Sequence, residues 1–265
     1  MPLFPSILAV GGLYFAFEQS STPGRVVLFC LFIASIFSWA VMITKIRMIK
    51  RAQRQSTHFL DLFRSHRKPL HLYESKLRFE GSPLFAVYRA GCRELTYHML
   101  GSQEVDETFR ARLETSPRIS PSQMRVITAA MERSVGETAL KLEDQMILLA
   151  TAVSGGPFLG LLGTVWGVME TFAGVAEAGS ANLAAMAPGV SAALITTVVG
   201  LLVAIPAMFG YNFLVTSIRG QIVQMDNFAA ELSSEFEHQF VDHGELAEKS
   251  GSVSQIAANS LRSLS

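Results

Sequence analysis

The 265-residue sequence predicts an all-α integral membrane protein with three transmembrane helices, the second and third extended into a cytoplasmic helical bundle. Three observations lead there. Charged residues make up 17% of the chain and hydrophobic ones 49%, whereas soluble domains carry about 25% charge, so the polar surface needed in water is missing. Uncharged residues gather in three stretches, 26–44, 145–169 and 178–218. Each is close to or above the ~20 residues that a helix rising 1.5 Å per residue needs to cross a ~30 Å hydrocarbon core. Finally, apolar residues flanking the second and third stretches recur every three or four positions, the period of one helix face.

The elements follow in order. Residues 1–25 form an outer N-terminal segment. Its apolar part, residues 3–17, has no basic n-region and is broken by Pro5, Gly11 and Gly12, which favours an interfacial or loosely helical segment over a signal sequence or another span. Residues 26–44 are transmembrane helix 1, preceded by Arg25 and followed by Lys45, Arg47, Lys50, Arg51 and Arg54. Residues 45–146 are a cytoplasmic helical domain. Its last helix starts near Pro117 and Pro121, and Ile127, Met131, Val135, Ala139, Leu142, Met146 and Leu149 share one face with no stop signal before the membrane. One unbroken helix is therefore expected to enter the second span. That span is 147–173, followed by an outer loop over 174–186 and the third span over 187–215. A helical extension over 216–243 continues a stripe that starts in the span: Phe213, Ile218, Ile222, Met225, Phe228, Leu232 and Phe236. Such a stripe outside a bilayer must pack on something, either the chain's own helices or another copy. Residues 244–265, rich in Ser, Gly, Ala and Glu, read as a mobile tail.

Orientation comes from sorting the charges, which sum to zero over 22 basic and 22 acidic residues. Residues 45–146 hold 18 of the 22 bases against 12 acids, net +6, residues 217–265 are net −4, and residues 1–23 and 174–186 hold no Lys or Arg. Bases within about 15–20 residues of a span set topology. The N-terminus is thus outside, and the basic domain and the C-terminus are cytoplasmic. Cys30 lies in an apolar run and Cys92 in a polar one; both read as reduced thiols, Cys92 in a reducing compartment.

The second span contains GGPFLGLLGTVWGVMETF, with Gly156, Gly160 and Thr164 at steps of four and Gly163 and Gly167 likewise; the third repeats the theme with Gly189, Ala193, Thr197 and Gly200. Small residues at this spacing let helix backbones approach closely, which supplies association where lipid removes the hydrophobic driving force. Two such helices in succession suggest a ring of subunits around a tightly packed lumen. Thr164 and Thr197 can fall within the membrane on opposite helices. Each hydroxyl either bonds a carbonyl one turn back on its own helix or lines a pore. Thr196, rotated about 100° from Thr197, is expected to do the former.

No Asp, Glu, Lys, Arg or His lies in the middle of any span. Ionisable groups in a membrane mark ion paths, so the chain alone cannot relay protons across the core and a partner must bring the titrating group. Glu170, at the outer end of the second span, either snorkels to headgroups or serves as an ion-accessible acid. No phosphate-binding loop, no metal-spaced His/Cys cluster and no convergent nucleophile and base occur. No cofactor, metal or enzymatic activity is expected. Bases mixed with acids argue against nucleic acid, and those beside the membrane match anionic lipid headgroups of the bilayer.

GPFLGLLGTVWGVM in the second span, NLAAMAPGV and ALITTVVGLLVAIPAMFGYN in the third, and the three-span, outside-start arrangement resemble the TolQ/ExbB/MotA proton-channel family. Residues 38–40 (SWA) and 225–228 (MDNF) resemble its TolQ branch more than its ExbB branch. The resemblance implies a subunit of the bacterial inner membrane, N-terminus periplasmic and C-terminus cytoplasmic. Five copies would enclose the membrane helices of a dimeric TolR/ExbD-like single-span partner, with a TolA/TonB-like protein downstream. The partner's membrane aspartate would carry the proton past Thr164 and Thr197, which match lumen-facing threonines of the family. The implied function is a stator and channel subunit of an ion-motive-force-driven motor that couples proton flow to work on the cell envelope. Ala192 stands where the family usually has a third-span glutamate, and Glu170 where it tends to have a neutral polar residue. The rivals are a non-conducting membrane scaffold and a flagellar- or gliding-type torque unit; three spans rather than four, with the long cytoplasmic segment after the first, weigh against the flagellar type.

Overall fold

The computed structural model describes residues 22–66, 68–102, 108–179 and 182–242. Among them every regular element is a helix: α1 (Thr22–Ser65), α2 (His71–Glu74), α3 (Pro83–Leu100), α4 (Phe109–Thr115), α5 (Pro121–Glu143), α6 (Met146–Ala178) and α7 (Leu183–Phe240). Three of these, α1, α6 and α7, are long and apolar enough to cross a membrane. The expected outer segment over 1–25 lies almost wholly outside the described residues, as does the tail over 244–265.

The chain divides into two compact units, one of Met1–Met48 with Glu143–Ser217, the other of Ile49–Leu142 with Ile218–Ser265. In the first unit α1 buries Val27, Leu31, Ser38, Val41 and Lys45, a row stepping by three, four or seven. Large apolar side chains such as Phe29, Phe32, Phe37 and Trp39 point outward, as they do when the surroundings are lipid and helix contacts select small residues. Gly210 of α7 packs against Met42 of α1, where a side chain on the glycine would collide with the methionine sulfur. Lys45 departs from the expectation that the bases after the first span face headgroups. It is 1% exposed, with Asp144 of the same unit the opposite charge that acts on it.

The second unit has the opposite character, a core of rings. Phe59 of α1 meets Phe79, Phe85, Tyr88 and Phe228 with centroids 5.3–5.7 Å apart. Tyr88 donates its hydroxyl proton to the Pro69 carbonyl (2.7 Å) and accepts from the Tyr73 amide (3.0 Å), which fastens α2 to α3. Burial, and after it the nearby Cys92, push its phenol well above the ordinary range, against the Tyr73 amide, which favours the charged form. α3 starts in a built cap, with Ser82 Oγ accepting from the Phe85 amide (3.2 Å) and Pro83 in the first turn, and it stops at Gly101, whose φ of 69° ends a helix without strain. Residues flanking α5 and α7 pair through Ile119 and Val241 in an isolated bridge. Both cysteines are free, and burial raises the Cys92 thiol above its usual range.

Three expectations need correction. The helix expected to run unbroken from residue 122 into the second span is two helices, because Gln145 adopts a left-handed φ of 63° between α5 and α6. A left-handed residue cannot propagate a right-handed helix. The expected row itself holds, with Ile127, Met131, Val135 and Leu142 buried on α5 and Met146 and Leu149 on α6; Met124 joins it and Ala139 is half-buried. On α7 the inward row is Leu214, Ile218, Gln221, Met225, Phe228, Leu232 and Phe236; Phe213 is exposed and Ile222 half-buried. The outer loop expected over 174–186 is helical for most of its length, since α6 reaches Ala178 and α7 begins at Leu183.

Candidate functional site

The site is built where α6 and α7 lie antiparallel in the first unit, in contact along a row of glycines. An ideal Cβ on Gly156 would stand 3.0 Å from the Gly200 carbonyl oxygen, and one on Gly200 would stand 2.6 Å from that of Gly156. Farther along α6, a Cβ on Gly160 would be 2.9 Å from both the Thr196 carbonyl and Thr197 Cα, one on Gly163 2.7 Å from Thr196 Oγ1, and one on Gly167 2.8 Å from Ala193 Cβ. At the far end the roles reverse, and Gly189 of α7 makes room for Thr171 of α6. Each turn up α6 thus meets one turn down α7. At Gly156, Gly160 and Gly200 the obstacle is main chain, so a larger residue there would force two backbones apart; at Gly163, Gly167 and Gly189 it is the side chain of Thr196, Ala193 and Thr171 in turn.

This close approach gathers three hydroxyls at one carbonyl. Thr164 Oγ1 lies 3.1 Å, Thr196 Oγ1 3.0 Å and Thr197 Oγ1 3.2 Å from the Gly160 oxygen. The Thr164 and Thr197 hydroxyls touch each other, and Thr164 Oγ1 is also 3.3 Å from that of Thr196 and 3.2 Å from the Ala193 carbonyl. Thr196 has its shortest contact, 2.7 Å, with the Ala193 carbonyl of its own helix. A hydroxyl has one proton and a carbonyl oxygen takes two donors. With Thr196 donating to Ala193, the protons of Thr164 and Thr197 can be shared between the Gly160 oxygen and each other. The cluster therefore has interchangeable donors, and its hydroxyl oxygens keep lone pairs to offer a passing cation. Thr196 is 1% exposed, while Thr164 and Thr197 are half-buried and keep an open side.

Thr164 and Thr197 are thus brought together. Thr196 was expected to turn away to its own helix; it makes that bond and joins the cluster as well. The cause is that Gly160 and Gly163 let α7 come near enough for two adjacent residues to reach the same carbonyl. Thr171 was also missed. It stands seven residues beyond Thr164, two turns up the same face, with its hydroxyl donating to the Gly167 carbonyl at 2.8 Å, and the spacing of seven was the signal. Ala192 is 2% exposed, so the position that the resemblance associates with a carboxylate is here a buried methyl.

Glu170 stands apart from the cluster. The Trp166 indole N–H donates to its Oε1 at 3.1 Å, and its Oε2 is buried with no hydrogen-bond partner among the described residues. Unlike a snorkelling side chain, it is held along α6 by the tryptophan one turn before it. Among the described residues no group of three or more His, Cys, Asp or Glu side chains could hold a metal ion.

Comparison with known proteins agrees with this architecture. The family described as "MotA/TolQ/ExbB proton channel family" matches residues 101–227. The Tol-Pal system protein TolQ of Haemophilus influenzae is 32% identical over 220 residues, covering 82% of this chain and 90% of that protein. The TolQ protein of Pseudomonas aeruginosa is 30% identical over 211 residues, 78% of this chain and 85% of the relative. Biopolymer transport protein ExbB of Pseudomonas putida is 31% identical over 219 residues, 81% of this chain and 61% of the relative. On the strength of near full-length similarity and a matched membrane core, the chain belongs to the MotA/TolQ/ExbB proton channel family.

Proposed function

We propose that this chain is the channel and stator subunit of a bacterial inner-membrane complex of TolQ/ExbB type, which couples proton flow to work on the cell envelope. The observation that carries the reading is the convergence of Thr164, Thr196 and Thr197 on the Gly160 carbonyl. It sits in helices whose middles contain no ionisable side chain. Hydroxyls without a titrating group can solvate a charge but cannot carry a proton by themselves. The proton carrier is then a carboxylate on another chain, an aspartate in the membrane helix of a TolR/ExbD-like dimer enclosed by five copies of this subunit. Thr164 and Thr197 face that helix, and a TolA/TonB-like protein receives the work on the periplasmic side. The N-terminus is periplasmic and the C-terminus cytoplasmic. One charge moved through ~100 mV releases about 2.3 kcal/mol, so a few protons drive a conformational cycle of several kcal/mol. Glu170, held along α6 by Trp166, is the acid at the outer mouth of the path. With a buried methyl at Ala192, the coupling carboxylate is the partner's alone. The reaction is transport and mechanical coupling rather than enzyme catalysis.

The test is proton flux into liposomes. Flux is expected when the subunit and its single-span partner are present together, not with either alone, and is lost when the partner's membrane aspartate becomes asparagine. Absence of flux from the intact, correctly assembled complex would leave a non-conducting scaffold as the better reading.

A further inference from the structure

We infer that the groove between α1 and α7 is a binding site for one anionic glycerophospholipid, with an acyl chain along the groove and the headgroup phosphate at Arg25. The two helices touch at Met42 and Gly210. On the N-terminal side of that contact lies a cavity of about 760 Å³, within the range of built ligand sites. Val26, Phe29 and Phe32 of α1 and Val199 and Leu202 of α7 make its walls apolar. Polar groups sit at its ends, with Thr22 and Arg25 in the first turn of α1 and Ser35 at the deep end. From Thr22 to Ser35 a helix rises roughly 20 Å, somewhat more than half of a ~30 Å hydrocarbon core. The groove has the reach of one leaflet.

Charge selects the occupant. Arg25 is the only Lys or Arg in the first 44 residues, at the end of the span that carries no positive excess. Orientation does not need it there, since the bases from Lys45 onward already set the topology. A guanidinium presents paired N–H donors matched to phosphate oxygens, and this one opens onto a trough too apolar to hold water. Phosphate above and hydrocarbon below is the chemistry of a phospholipid. A second copy of the chain and the chain's own residues 1–21 are the competing occupants.

The full-length chain, purified with its membrane partner in mild detergent, is stripped of lipid and offered phosphatidylglycerol or phosphatidylethanolamine, and retained lipid is counted by native mass spectrometry. Phosphatidylglycerol should be retained by the wild type. Loss of a hydrogen-bonded charge should lower its affinity about tenfold in Arg25→Gln. Val199→Trp, which fills the trough, should abolish retention of both lipids. Should Val199→Trp fail to assemble, Val199→Cys in a Cys30→Ser background gives a second reading, with maleimide labelling expected to slow when phosphatidylglycerol is added. Equal retention by wild type and Arg25→Gln would overturn the proposal. So would cross-linking of that Val199→Cys protein to a cysteine placed in residues 3–17 or in a second copy, with no lipid displaced.

Discussion

The two units of this chain are built by opposite rules. In the unit of Ile49–Leu142 and Ile218–Ser265, large side chains go inside: Phe59, Tyr88, Leu95, Met131 and Phe236 are fully buried, and rings meet rings. In the other unit small residues go inside, Gly156, Gly160, Gly163, Ala193, Thr196 and Gly200, while phenylalanines and tryptophans point out. Water drives the first arrangement, because removing apolar area from it stabilises a core by about 25 cal/mol per Å². Lipid offers no such gain, so the second arrangement depends on backbones close enough for dispersion and hydrogen bonding. The consequence is that hydroxyls fit at the α6–α7 contact, where a core of leucines would have left no polar surface.

Substitutions that exchange the two rules should separate them. The largest effect is expected from Gly160→Leu, which drives a side chain into the backbone at Thr196 and Thr197. The assembled complex should vanish on a native gel, whereas Gly155→Leu, with open space around its Cβ, should assemble normally. Next comes Phe59→Ala, which leaves a cavity among five rings and should destabilise by about 3–5 kcal/mol in thermal unfolding. Phe29→Ala, at a 63% exposed site, should leave stability nearly unchanged. Tyr88→Phe takes the hydroxyl donor from the buried Pro69 carbonyl, while the Tyr73 amide keeps the Leu70 carbonyl at 3.0 Å, and should destabilise by about 1–3 kcal/mol. The smallest effect belongs to Arg64→Gln. The Arg64–Glu231 pair is well formed at 2.9 Å, but its side chains are 58% and 36% exposed, so loss of at most about 1 kcal/mol is expected, fading as salt rises.

Much of this was legible in the sequence, and what was not has identifiable causes. Charge-free runs and rows of small residues reveal themselves because each depends on residue type alone. The break at Gln145 did not, since KLEDQMILL contains neither Gly nor Pro and keeps the helical apolar period; a non-glycine residue in the left-handed region leaves no compositional mark. On α7 the stripe was read one residue off at Phe213, because two adjacent apolar residues, Phe213 and Leu214, cannot be assigned to faces without the neighbouring helix. The continuation of α1 to Ser65 was legible in Ile49, Ala52, Ser56, Phe59 and Phe63, but the bases interleaved among them obscured the face. At the site, Thr164 and Thr197 were singled out by spacing. Thr196 was discounted on angle alone, because helix rotation says nothing of how near glycines allow a second helix to come.

The most direct test of the hydroxyl pathway is proton flux through the reconstituted complex carrying Thr164→Val with Thr197→Val, measured beside Thr164→Ser with Thr197→Ser at equal assembly. Valine keeps the shape and removes the hydroxyl, while serine keeps the hydroxyl. The account predicts that the valine pair falls at least about tenfold, the equivalent of ~1.4 kcal/mol in the barrier, and that the serine pair stays near wild type. Wild-type flux through an assembled valine pair would contradict it.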